Sequence, residues 1–388
     1  MGIIFSSFNG LEAKLPYIKF STSQWQQKNF SDLFTILSNN THSRAELTNY
    51  GTIRNIHYGD VLIKFGNILD TSQAEIPYLC ENCKYKDEYM QDGDIIIADT
   101  AEDYTAGKCT ELFNVGTSKI ISGLHTIPCR PKIKFAQKYL GYYTNSPAYR
   151  HQLLSLLQGI KVYSISKTNL SNTHVSYPPL PEQQKIADFL SLVDQRIEKQ
   201  RQLIESLKKY KRGALSRVFN DVLETVKLSD ISNFISSTRT LSTTLNSNKG
   251  IYPVYDAAGI AGYIDHYDID SDYITIVKDG SGVGRLQKCD KKSSFIGTLG
   301  ALVAKNCTTD FLYAVLQTID FSKFVTGMAI PHIYYRDYKS NLLPFPSEEK
   351  QRAISQFFKK FDKCIENETQ KLSNMLKYKQ GLLQQIFI

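Results

Sequence analysis

One segment of this chain is written twice. The run YPPLPEQQKIADFLSLVDQRIEKQRQLIESLKKYKRGALSRVF ends at Phe219, and LPFPSEEKQRAISQFFKKFDKCIENETQKLSNMLKYKQGLLQQIF ends at Phe387. A single shift of 168 residues pairs Asp194 with Asp362, Ile186 with Ile354, Ile197 with Ile365, Tyr210 with Tyr378, Gly213 with Gly381 and Phe219 with Phe387. No gap is needed. The same shift reaches back into QGIKVYSISKTNL and TGMAIPHIYYRDY, where it pairs Gly159 with Gly327 and Ile165 with Ile333. A period this long exceeds the ~20 to 50 residues of a solenoid repeat, so the repeated unit is a domain plus the helix that follows it. The molecule is therefore expected to be pseudo-twofold, with two similar working surfaces.

Within each copy the apolar residues recur at alternating spacings of four and three, the coiled-coil pattern. They are Ile186, Leu190, Val193, Ile197, Ile204, Leu207, Ala214 and Val218 in the first copy. In the second they are Ile354, Phe358, Phe361, Ile365, Leu372, Met375, Leu382 and Ile386. Even the exceptions repeat: Gln200 and Lys211 hold seam positions in one copy, Glu368 and Lys379 the same positions in the other. Each copy predicts a helix of about 35 residues, roughly 50 Å long at ~1.5 Å per residue. Pro178, Pro179 and Pro181, and then Pro344 and Pro346, mark where the helices begin. A polar residue in a seam costs stability and can fix register, which gives Gln200 and Glu368 an aligning role; the alternative is that they face solvent.

Outside the helices, strand-like runs such as DVLIKF, DIIIAD, YITIVK and ALVA alternate with turn residues and with helical stretches such as KYLGYYTN and DFLYAVLQTI. The pattern is α+β, and mixed β-sheet cores account for most of the tyrosines and phenylalanines. The length of 388 residues suits two or three domains. With 42% hydrophobic and 22% charged residues the composition is that of a globular protein. No apolar run approaches the ~18 residues of a membrane span, and no basic-then-apolar leader opens the chain, so a cytoplasmic protein with no membrane partner is expected. Met1-Gly2-Ile3-Ile4-Phe5-Ser6 fits a myristoylation pattern without the polybasic stretch that would supply a second anchor. Seven scattered cysteines suit a reducing compartment better than a disulfide framework. A net charge of +8 permits a polyanionic partner.

Several motifs fall short of a chemistry. Gly280-Ser281-Gly282-Val283-Gly284-Arg285 lacks the lysine ending and the following helix of a phosphate loop, and reads as a glycine-rich hairpin turn. Cys80-Glu81-Asn82-Cys83 has the spacing of half a zinc site, which Cys109 and Cys129 would have to complete in place of a second tight pair. Pro178-Pro179 lies between Tyr177 and Leu180, without the amide that binds a target amino group in amino-methyltransferases. Glu348-Glu349-Lys350 stands where the first copy has Pro181-Glu182-Gln183, so a helix-start role suits both. No catalytic residues and no metal ligands are assigned.

The run from Pro178 to Ala187, the following Asp194 and the KYKRGAL close resemble the central conserved region of type I restriction-modification specificity subunits. The second copy resembles their distal conserved region. GIYPVYDAAGIAGYIDHY, YITIVKDGSGVG, TLGALV and the Gly327, Pro331, Ile333 pattern resemble the target recognition domain of that family, and LPYIKFSTSQWQQKNFSDLF resembles its usual opening. The second copy departs at Glu349-Lys350-Gln351, and the first domain has Lys161, Val162 and Tyr163 where the second has Ala329, Ile330 and Pro331.

The resemblance implies a non-catalytic subunit. Residues 1–180 and 222–345 would be target recognition domains, each reading one half of an interrupted double-stranded DNA sequence. Residues 181–221 and 346–388 would be long antiparallel helices that set the spacer. The same helices would dock two modification subunits, which bring S-adenosylmethionine and methylate adenine at N6. Motor-nuclease restriction subunits using ATP and Mg2+ would join them, and this chain itself would bind no cofactor. DNA contacts are expected from Lys64, Asn67 and Lys108 in the first domain and from Lys278, Ser281, Arg285 and Lys288 in the second. Helix pairing is expected from Ile186, Leu190, Val193, Ile197 and Gln200 against Ile354, Phe358, Phe361, Ile365 and Glu368. Two other classes remain open: a coiled-coil scaffold that binds no DNA, and a self-contained methyltransferase or nuclease with a divergent site.

Overall fold

The computed structural model describes residues 25–241 and 250–387. The myristoylation pattern at Met1–Ser6 and the start of the LPYIKF segment lie outside the described residues. The chain divides into two compact units, residues 1–199 with 373–388 and residues 200–372. Each unit takes one β-rich domain and part of each long helix.

In the first unit the central sheet runs in the order Phe34–Ile36, Thr126–Pro131, Ile95–Ala98, Cys109–Phe113, Ile68–Asp70. Only its last pairing is parallel. The strand Ile95–Ala98 is buried on both faces, as its unbroken apolar run requires. A second sheet of four strands, Lys119–Ser122, Ile53–Ile56, Tyr78–Leu79 and Leu47–Thr48, packs beside it. In the second unit a four-stranded antiparallel sheet has the order Ser232–Ser236, Leu299–Ala304, Tyr273–Val277, Leu286–Cys289. A three-stranded sheet of Gly259–Ile264, Tyr252–Asp256 and Ser294–Phe295 accompanies it. The glycine-rich segment is the turn of the hairpin formed by Tyr273–Val277 and Leu286–Cys289. The segment DVLIKF is not a strand: Asp60–Lys64 form a single wide helical turn. Three consecutive apolar residues do not distinguish strand from helix, and the Arg44 guanidinium bonded to Asp60 at 3.0 Å ties the start of that turn.

In each domain the first and last described strands pair, Gln26–Asn29 with His174–Tyr177 and Thr225–Lys227 with Leu342–Pro344. The chain thus leaves each domain beside the place where it entered, and a long helix follows directly. The first long helix spans Leu180–Asn220, 41 residues, and the second Glu348–Ile386, 39 residues. At ~1.5 Å per residue each is about 60 Å long, longer than its heptads predict. The two starts are built alike. Gln183 Nε2 donates to Pro178 O at 2.8 Å, and Gln351 Nε2 donates to Pro346 O at 2.8 Å.

Helix ends complete the domain cores. In the first unit Ile186, Ala187 and Leu190 join Leu382, Leu383, Ile386 and Phe387 under Tyr139 and Tyr143. In the second, Leu215 and Phe219 join Phe358, with Ile354 alongside, under Phe311. Burying a Leu, Ile or Phe contributes roughly 1.5–3 kcal/mol per side chain, so neither domain keeps its core without both helices. Cys109 and Cys129 are free and buried in the first domain core, away from any shared metal site with Cys80 and Cys83. Those two cysteines form a disulfide, which a scattered cysteine count did not predict. His42 and Glu46 approach Cys83, but His42 is hydrogen-bonded through both ring nitrogens, to Glu46 and to Lys84 O. Among the described residues no helix is long and apolar enough to cross a membrane.

Candidate nucleic-acid interface

The polar residues of the helix seam find each other. In the second unit Gln200 Nε2 donates to Glu368 Oε2 at 2.7 Å and to Glu368 O at 3.0 Å. These two residues are each other's counterparts under the repeat. Lys211, nearly buried, donates to Asp362 at 2.5 Å, and in the first unit Lys379 lies 2.5 Å from Asp194. The shift of 168 that carries Lys211 onto Lys379 also carries Asp194 onto Asp362, so one ion pair is made twice. Each lysine also lies over a tyrosine ring of the neighbouring domain helix: Lys379 over Tyr142 at 5.6 Å, Lys211 over Tyr313 at 5.5 Å. Tyr142 donates its hydroxyl to Asp194 at 2.9 Å. The pair therefore joins three elements in each unit, both long helices and the domain packed on them. With Asp194 about one-third exposed, solvent screening keeps its pair well below the ~3–5 kcal/mol at stake when a buried pair is broken.

Around this seam Ile186, Leu190, Ile197 and Phe358 are buried, and Val193, Ile354, Phe361 and Ile365 are half-buried. Val218 is exposed, and Leu215 and Phe219 take its place in the core.

A second repeated arrangement lies in the loops after the central strands. In the first unit the loop after Ala98 is bonded to the segment ending at Ile165. Ile165 N donates to Asp99 O at 2.8 Å, and Tyr163–Ser164 pairs with Thr100–Ala101. In the second unit Ile333 N donates to Lys278 O at 2.9 Å, Gly280 N to Pro331 O at 2.9 Å, and Asp279 bridges His332. The loops return alike, with Gly107 N donating to Ala98 O at 2.7 Å and Gly284 N to Val277 O at 2.9 Å. Each unit thus presents one strand-connecting loop fastened to one glycine-led hairpin.

The expected DNA contacts distribute unevenly over these surfaces. Lys278 is half-buried at the root of the second unit's loop, with Ser281 and Arg285 exposed on it; Arg285 Nη2 donates to Ala257 O. Lys288 turns the other way. Its Nζ lies 2.7 Å from Asp310 and 4.7 Å from the Tyr313 ring centre, on the side of the long helix. Burial pushes the Asp310 carboxyl up, but Lys288 and Lys359 outweigh it and hold the group below the usual carboxylate range. In the first unit Lys64 is exposed and donates to Glu75 O, and Asn67 is half-buried with its carbonyl accepting from Glu111 N at 3.0 Å. Lys108 is occupied inside the fold, donating to Leu62 O at 2.6 Å. Burial, and then the Arg150 guanidinium, pull its ammonium below the usual lysine range. Arg150, which the sequence did not single out, ties the loop by donating to Tyr104 O and Ala106 O. Its signal was hidden because its partners are backbone carbonyls.

Comparison with known proteins bears on both arrangements. The type I restriction modification DNA specificity domain matches residues 22–209 and again 220–378. The chain belongs to that family, whose members are the non-catalytic specificity subunits of type I restriction-modification complexes. Two Mycoplasma pneumoniae proteins named as type I specificity subunits are each 28% identical to it. One aligns over 39% of this chain and 52% of its own length, the other over 49% and 83%. The chain thus spans about half the length of the first of these relatives. A type I specificity subunit structure from M. genitalium superposes with a TM-score of 0.55 at 16% identity, covering 96% of this chain and 99% of that one. A chain from a type I restriction-modification system, solved to describe complex assembly and conformational transition, superposes at 0.54 with 16% identity, covering 94% and 97%. At these identities the likeness is one of fold.

Proposed function

We propose that this chain is the sequence reader of a type I restriction-modification complex in the cytoplasm, with each domain recognising one half of an interrupted double-stranded DNA target. The observation that carries the reading is the loop-and-hairpin surface built in the same way in both units. Lys278, Ser281 and Arg285 in one domain, and Lys64 and Asn67 in the other, would contact the DNA; Lys64 and Arg285 are exposed and would exchange their bonds to Glu75 O and Ala257 O for phosphate. Lysine and arginine on the phosphates would supply salt-dependent affinity, and base-edge contacts would add roughly 1–3 kcal/mol of discrimination each. The paired helices would hold the spacer and dock two modification subunits that carry S-adenosylmethionine, with restriction subunits using ATP and Mg2+ joining them. Half-sites read by a twofold-related protein favour a spacing near one duplex turn, roughly 34 Å, which helices about 60 Å long can span. Because the methyl donor sits on another subunit, the target adenine would be flipped out of the duplex towards it.

Binding of the purified complex of this chain and its modification subunit to duplex DNA, measured against salt, tests the reading. Affinity should fall steeply with log salt, and Arg285→Ala should lower the slope by about 1 for the phosphate contact it removes. Affinity that ignores both sequence and salt would leave only the scaffold reading.

A further inference from the structure

The hairpins at 158–164 and 326–332 are copies of one another at atomic detail. Gln158 N donates to Ser164 O at 2.9 Å and Ser164 N to Gln158 O at 2.8 Å; Thr326 N donates to His332 O at 2.9 Å and His332 N to Thr326 O at 2.8 Å. Every one of these positions corresponds under the shift of 168. Each hairpin opens with a glycine at positive φ, Gly159 at 114° and Gly327 at 89°. A Cβ there would strike the carbonyl oxygen of Val162 at 1.9 Å and of Ile330 at 2.5 Å. Glycine is therefore what allows the chain to close so tightly.

That closure thrusts two apolar side chains outward in each unit. Ile160 is 93% exposed and Val162 50%; their counterparts Met328 and Ile330 are 104% and 65% exposed. The side chains themselves differ between copies, while apolar character and exposure are kept. A loop tip left to solvent has no physical reason to repeat two apolar residues at matched positions.

We propose that these tips are wedges, Ile160 with Val162 and Met328 with Ile330, that enter the base stack of the two DNA half-sites. The proposal rests on the DNA-reading function above. Two side chains on a narrow tip are far too small for a stable protein interface, which needs ~800 Å² from each partner. They do match the size and chemistry of the isoleucine and methionine wedges that unstack single base steps. The placement fits as well in the second unit, where the hairpin is fastened by backbone hydrogen bonds to the loop that carries the candidate DNA contacts Lys278 to Arg285; the first hairpin is fastened to the corresponding loop after Ala98. Lys161 stands between the two apolar tips of the first hairpin, and exposed Lys323 and Arg336 bracket the second in sequence. A wedge of this kind offsets the stacking lost when a base leaves the helix.

The experiment uses the complex of full chain and modification subunit on a duplex bearing its two-part target, and reads N6-methylation of each half separately. The variants are Ile160→Ser with Val162→Ser, and Met328→Ser with Ile330→Ser; all four side chains are exposed, so thermal stability should hold. Each double variant should lose at least tenfold in methylation rate at one half only, a different half for each. A duplex with an abasic nucleotide opposite the target adenine, where stacking is already weakened, should bring the rate back to within about threefold of the unmodified chain. Unchanged rates on the intact duplex would overturn the proposal. So would a loss that the abasic duplex fails to rescue, or a loss of co-purification with the modification subunit, which would make the tips protein contacts. If the unmodified complex methylates no two-part site at all, the specificity reading itself falls, and the wedge with it.

Discussion

Glu111 is fully buried in the strand Cys109–Phe113 and holds the start of the short helix that carries Tyr142. Its carboxylate accepts from Lys138 N at 2.6 Å and Gly141 N at 2.8 Å. Burial nevertheless dominates and raises its pKa to about 8, against backbone donors and Lys138 that favour the charged form. With a folded pKa above the unfolded one, the native state holds the proton longer, so stability from this group falls as pH rises from about 4.5 towards 8. Glu111→Gln removes that dependence and loses an acceptor. The variant should be the less stable at pH 5, with the gap shrinking by pH 8, an effect on the order of a few kcal/mol at most. A gap in melting temperature that stays constant or widens across that range would contradict the assignment. Nothing in the sequence marked Glu111, because an acid in a strand reads as solvent-facing until both faces of the sheet are known to be covered. Lys211 and Lys379 were visible as exceptions in the heptads, but their partners Asp362 and Asp194 lie just beside the seam and emerge only with the antiparallel register.

The long helices were the most legible elements, since their periodicity is local and repeated. The last turn of the first was misread by one residue: Ala214 and Val218 fit the heptad, while Leu215 and Phe219 are buried; in the second, Leu382 and Ile386 are buried as the heptad expects. A straight helix drifts about 20° per heptad, so after four heptads the buried face has moved on by most of a residue. There it meets a domain core instead of a partner helix. The short helical turn at Asp60–Lys64 was illegible for the opposite reason, having too few residues to show any period. Ile197, 3% exposed, tests the pairing directly. Ile197→Asp buries a charge without a partner and should cost roughly 2–5 kcal/mol; adding Ile365→Asp, at a half-buried position, should cost further and abolish assembly with the modification subunit. Unaltered melting and assembly in the double variant would refute the helices as a rigid ruler.

At the scale of the molecule, duplication is what made the sequence readable. The two-copy order pointed to two domains and two helices, because a repeated pattern needs no knowledge of which residues touch, and the alternation of strand-like and helical runs outside the helices gave the α+β class. The loops expected to face DNA were the least readable part: of seven expected contacts, Lys108 and Lys288 are held inside the fold, and Lys64 and Arg285, though exposed, bond the carbonyls of Glu75 and Ala257. A lysine's sequence neighbourhood does not say whether a carbonyl or carboxylate waits within its reach. The hairpin tips carried a usable signal, the matched pairs Ile160 with Met328 and Val162 with Ile330, which only became meaningful once their exposure was known. The central claim is that this chain chooses where adenine is methylated. Its most direct test is a base-resolution map of N6-methyladenine in cells that express the modification subunit encoded beside it, with and without this chain. One interrupted two-part motif, methylated only when the chain is present, is the predicted result; identical maps in both cells would contradict it.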